Sequence, residues 1–91
     1  MAAFLISYDL KKPVRDYSTL YEGIKNQSGN WCHVLESVWI ITANNSNCTQ
    51  IRDALSQYVD PNDQLLVVRL QGEGAWLNLS PEISNWLQKN L

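Results

Sequence analysis

The stretch Phe4-Leu5-Ile6-Ser7-Tyr8-Asp9-Leu10 is apolar almost without a break, turns polar towards its end and runs into Lys11-Lys12-Pro13. A run this short and this apolar, closed by a proline, reads as a buried first strand at the centre of the domain, with Asp9 at its polar tip. After Pro13 the period changes. Tyr17, Leu20, Tyr21 and Ile24 fall at i, i+3, i+4 and i+7 and make one apolar helical stripe, with Asp16 or Ser18 placed to cap it and Gly29 in the turn that ends it.

Two runs of strand formers follow, at residues 31–35 and 38–42, separated by Glu36-Ser37 alone. No Asn-Gly or Asp-Gly marks a tight hairpin, so the connection reads as a bulge or a short open turn. The polar residues 43–46 form a loop. Cys48, Ile51, Leu55 and Tyr58 then repeat at helical spacing behind an Asn47-Cys48-Thr49-Gln50 capping box. Asp60-Pro61-Asn62-Asp63 stops this second helix, and Gln64-Leu65-Leu66-Val67-Val68-Arg69-Leu70 is a further buried strand, centred on β-branched Val67 and Val68. Ser80-Pro81-Glu82 starts a third helix whose stripe is Ile83, Trp86, Leu87 and Leu91.

The order strand, helix, strand, strand, helix, strand predicts an α+β fold of the ferredoxin-like split βαβ type, βαββαβ, an antiparallel sheet with both helices on one face and a helix added at the C-terminus. The whole of residues 1–91 reads as one domain, with 71–91 an extension that packs on the core or on a partner subunit. Gly72 and Gly74 flank Glu73 in that extension, and two readings of Trp76 stand beside each other. It fills space beneath the third helix together with Trp86, or it lies over a ligand or base as a stacking platform.

A chain of 91 residues buries a modest core, so a homodimer would help to stabilise it. The 45% of hydrophobic and 18% of charged residues exclude the composition of a disordered chain. No stretch approaches the roughly 18 apolar residues of a membrane span and no basic segment leads Met1-Ala2-Ala3-Phe4, which places the chain in the cytoplasm by expectation. Cys32 and Cys48 read as small core residues of a reduced protein. His33 stands next to Cys32, but neighbours on a strand point to opposite faces and no second histidine or Cys-x-x-Cys accompanies them, so His33 reads as structural.

Charge changes the picture at one place. The net charge is −2, yet residues 1–15 carry Lys11, Lys12 and Arg15 against Asp9 alone, whereas residues 16–91 carry eight anions against four cations. Any site for a polyanion therefore lies near the end of the first strand. Asp9 is either positioned for chemistry there or is held as a cap or in an ion pair with Lys11 or Arg15.

Three motifs, Ile6-Ser7-Tyr8-Asp9, Leu35-Glu36-Ser37-Val38-Trp39 and Asn62-Asp63-Gln64-Leu65-Leu66-Val67-Val68, occur in the order and spacing of a known superfamily. Over residues 4–70 the chain resembles the small ferredoxin-fold nucleases that include the CRISPR-associated spacer-acquisition protein and the VapD-like ribonucleases. The resemblance implies a homodimer whose first-strand aspartates face one another, with Asp9 as catalytic residue and metal ligand for magnesium, Ser37 as a catalytic hydrogen-bond donor, and Lys11, Lys12 and Arg15 as contacts to RNA or DNA. It implies a magnesium-dependent endonuclease. The first helix, with Glu22 against Lys25, and the tail from Gln71 to Leu91 depart from that family, and they favour the alternative of a non-catalytic homodimeric adaptor or ligand-binding module on the same fold.

Overall fold

Alternation along the first strand builds the sheet. The computed structural model describes residues 2–11 and 17–91, so Lys12 and Arg15 lie outside the described residues, as does Asp16. In β1 (Ala2–Asp9), Phe4, Ile6 and Tyr8 are buried on one face while Leu5, Ser7 and Asp9 form the alternate set. Both neighbours of β1 are antiparallel: β3 (Val38–Ala43) on one side and β4 (Gln64–Arg69) on the other. With β2 (Asn30–Leu35) outside β3, the sheet among the described residues has the order β2-β3-β1-β4. This is the ferredoxin-like order, and it puts the apolar strand at the centre.

The helices α1 (Ser18–Asn26) and α2 (Cys48–Ser56) cover the Phe4 face. Leu20 and Ile24 from α1 and Ile51 and Leu55 from α2 are fully buried against Phe4, Ile6, Trp39 and Ile41. At about 1.5–3 kcal/mol for each large side chain removed from water, this layer supplies most of the drive to fold. Gly23 of α1 sits against Tyr58, two residues past the end of α2: a Cβ there would meet the Tyr58 ring at 2.5 Å.

Caps follow the sequence with one correction. Asn47 accepts a 2.8 Å bond from the Gln50 amide to start α2, the forward half of the expected capping box. Ser80 does the same for Ile83 at the start of α3 (Pro81–Asn90), with Pro81 in the first turn. Ser18 is not a cap: it is already helical, and Tyr17 takes the cap position with backbone geometry alone rather than a capping side chain. The β2–β3 turn carries the expected irregularity, because the register shifts between His33 and Leu35.

The second face of the sheet is half covered. Chain 71–91 returns across it, and α3 packs against β2 with Leu87 buried. Between sheet and tail lies an apolar cavity of about 400 Å³, its walls including Leu5, Val38 and Ile40 from the sheet and Trp76, Leu79 and Leu91 from the tail. On the β1–β4 half, Leu66 and Val68 stay exposed at 55% and 38%. The register sets them beside Ser7 and Leu5.

Candidate functional site

β1 ends at a cleft. Tyr8 Nα–H donates to the Ser37 carbonyl at 3.2 Å, extending the β1–β3 ladder into the β2–β3 turn and holding Ser37 next to the strand tip. A cleft of about 490 Å³ opens there, with Asp9, Glu36 and Ser37 on its polar side and Tyr8, Tyr17 and Tyr21 on its aromatic side. On the β4 side a shallower one of about 180 Å³ is shared by Ser7, Asp9, Gln64 and Leu66. Asp9 lines both.

The Asp9 side chain is two-thirds exposed, and its Oδ2 accepts a 3.1 Å bond from Lys11 Nζ. Both groups face water, so such a pair contributes about 1 kcal/mol or less and exchanges readily for other partners. Lys11 is itself fixed through its backbone. Its N–H donates to Asp63 Oδ1 at 2.9 Å, while Asp63 Oδ2 accepts from the Asp60 N–H at 2.8 Å. One carboxylate therefore ties the end of β1 to the turn that opens β4. Lys11 Nζ also reaches Gln64 Oε1 at 3.5 Å.

Behind the polar rim the aromatic wall is rigid. Trp39 Nε1–H donates to the Tyr8 hydroxyl at 3.1 Å, and that hydroxyl donates to the Glu36 carbonyl at 3.3 Å. Burial pushes the Tyr8 hydroxyl far above the usual tyrosine range; the bond from Trp39 pulls the other way, and a bond with Tyr21 adds to the rise. Tyr8 is thus neutral at physiological pH and serves as a brace, not as a base. His33 stacks on Trp39 at 4.2 Å and 13°, and its Nε2 pairs with the Glu36 carbonyl at 2.9 Å. The reading of His33 as structural holds. Cys32, on the opposite face, is buried, and burial raises its thiol pKa.

Of the residues singled out in the sequence, Asp9, Lys11 and Ser37 come together at one strand end; Lys12 and Arg15 fall outside the described residues. The ion pair of Asp9 with Lys11, one of the two roles open to it, is formed. Tyr8, Tyr17, Tyr21 and Asp63 complete the surroundings. Two tyrosines on a helical stripe read either as core or as a ligand face, and the structure sets Tyr17 and Tyr21 on the wall of the cleft. Trp76 is half-buried, donates from Nε1 to Ser84 Oγ at 3.1 Å and lines the apolar cavity, far more a packing position than a platform. Among the described residues no group of three or more His, Cys, Asp or Glu is placed to hold a metal ion, and no helix is long and apolar enough to cross a membrane. Compared with models of known protein families, the chain matches none.

Proposed function

We propose that the chain acts as a homodimer that grips the phosphate backbone of a nucleic acid at the tips of β1 and hydrolyses a phosphodiester bond there with magnesium. The observation that carries this reading is the placement of Asp9: an accessible carboxylate at the end of the central strand, on the rim of a cleft with Ser37, and 3.1 Å from a lysine ammonium. Asp9 belongs to the alternate set of β1 that faces the half-bare side of the sheet, together with Leu5 and Ser7. Two copies meeting through that side would bring their Asp9 residues towards each other.

The donor set suits magnesium in two copies and not in one. Magnesium keeps several waters and commonly takes one or two protein carboxylates, so Asp9 from each copy fits the hard, oxygen-only donor set. When bound, the ion would stabilise charge on the phosphate oxygens and supply an activated water. Lys11, released from its exposed pair with Asp9, neutralises the backbone, and Lys12 and Arg15 add further cations next along the chain. Ser37 donates a hydrogen bond to a phosphate oxygen. A second reading, a non-catalytic dimeric adaptor, is favoured by one observation: Asp9 in a single chain is satisfied by Lys11, as a structural charge would be.

Binding and turnover separate the two. Affinity for short oligonucleotides should fall steeply with salt, because each neutralised phosphate releases counterions. Wild type with magnesium or manganese should cleave RNA or DNA oligonucleotides, and Asp9→Asn should bind and stay folded while losing cleavage. A wild type that binds and never cleaves, or an Asp9→Asn that cleaves as well as wild type, leaves the adaptor reading. Absence of salt-dependent binding removes the nuclease reading and leaves the adaptor or ligand-binding module.

A further inference from the structure

The aromatic side of the cleft has no part in holding a phosphate. Tyr17 and Tyr21 lie 6.4 Å apart with their rings splayed by 49°, so they form an angled wall and not a closed stack. Tyr21 is braced from behind, edge-on to His33 at 5.3 Å and tilted on Trp39 at 5.3 Å, while Trp39 in turn meets Trp31 at 5.4 Å. Lys25 Nζ closes the series 4.6 Å over the Trp31 ring. A continuous series of rings running from the cleft to the β2 edge fixes the orientation of the wall before any ligand arrives. The cleft's volume of about 490 Å³ lies within the roughly 300–1,000 Å³ of pockets that take small organic ligands.

One cleft thus carries groups for both ends of a nucleotide, Asp9 and Ser37 beside the phosphate and Tyr17 and Tyr21 for the base. Resting on the reading that Asp9 and Lys11 engage the phosphate backbone, we propose that Tyr17 and Tyr21 form a nucleobase subsite, so that the nucleotide engaged at the β1 tip is unpaired and its base lies against the tyrosine wall. A base within a duplex is already covered by its neighbours on both faces and cannot enter such a cleft. An unpaired one presents a planar π-face, which stacks on an aromatic side chain whatever its identity. Tyr17 and Tyr21 are then binding residues that select strandedness and not sequence.

The test compares a single-stranded oligonucleotide with an abasic oligomer of the same length and phosphate count. Wild type should bind the base-bearing strand about tenfold tighter than the abasic one, a difference that base stacking on an aromatic ring can supply. Tyr17→Leu and Tyr21→Leu, with melting temperature checked for each, should shrink that ratio, and Tyr21→Phe, which keeps the ring, should preserve it. Equal affinity of wild type for both oligomers overturns the subsite and leaves phosphate gripping in place. A ratio undiminished in both leucine variants also overturns it. If neither oligomer binds at low salt, the subsite and the proposed function fall together.

Discussion

At the scale of single residues, Tyr8 links core and cleft. Its ring is buried with Phe4 and Ile6, and its hydroxyl sits between the Trp39 indole and the Glu36 carbonyl, so the turn that carries Ser37 is anchored to the central strand through one phenol. Burial raises the folded-state pKa of that phenol above its unfolded value, and this fixes the sign of its pH dependence. The neutral phenol's contribution is complete below the unfolded value near 10 and is lost as pH rises from there towards the higher folded value. Urea midpoints should therefore hold up to about pH 10 and fall above it, and the fall should be smaller in Tyr8→Phe, which has no phenol to ionise. An equal fall in both proteins would assign the alkaline loss to other groups. Asp9, one residue on, was legible as a strand tip because apolar pattern gives way to charge there. Its hold by Lys11 was one of two roles the sequence left open, since choosing between them needs the geometry of the turn.

At the scale of elements, periodicity identified every strand and helix of the described fold, but it misread β4: expected as a buried strand, β4 is an edge strand with Leu65 and Val67 turned to the core and Leu66 and Val68 exposed. Nor does the pattern contain how closely the elements approach. By helix propensity alone, alanine in place of Gly23 gains up to about 1 kcal/mol. The structure reverses that expectation: the added Cβ would stand 2.5 Å from one carbon of the Tyr58 ring and 2.7 Å from another. A half-buried ring has little room to swing away, and overpacking of this kind typically costs about 1–3 kcal/mol. Gly23→Ala should thus lower the melting temperature by several degrees, on the scale of about 4–8 °C per kcal/mol for a domain of this size. A rise would mean that α1 and the Tyr58 ring move apart freely. The same limit explains why Asp63 was missed as the partner of Lys11: their bond spans 52 positions, and no local pattern carries information of that range.

At the scale of the whole molecule, the two faces of the sheet have unequal cover. One is sealed by α1 and α2; the other is crossed by the tail over β2, β3 and as far as Leu5 of β1, which leaves Leu66 and Val68 of β4 exposed beyond it. Antiparallel sheets tolerate one solvated face when that face is polar, and this strip is not. Glycine allows positive φ or close backbone approach, and the two in the tail use one each: Gly72 adopts φ +80°, and a Cβ on Gly74 would press on Leu91 at 3.1 Å. They bend the tail onto half the face, and the half left bare is the one that carries Asp9. If two copies close over this strip, as the proposed function requires, charge placed in it should split them. Leu66→Asp with Val68→Asp removes the apolar contact and sets like charges against each other across a two-fold axis. At tens of micromolar, wild type should sediment as a dimer and the double variant as a folded monomer with unchanged far-ultraviolet circular dichroism. That monomer should lose magnesium-dependent cleavage as completely as Asp9→Asn does, although Asp9, Ser37 and the other residues of its larger cleft are intact, because each chain brings a single Asp9 to the strand tip. A wild type that is monomeric at these concentrations, or a monomeric variant that still cleaves, would separate the strip from the site and leave Asp9 to act within one chain.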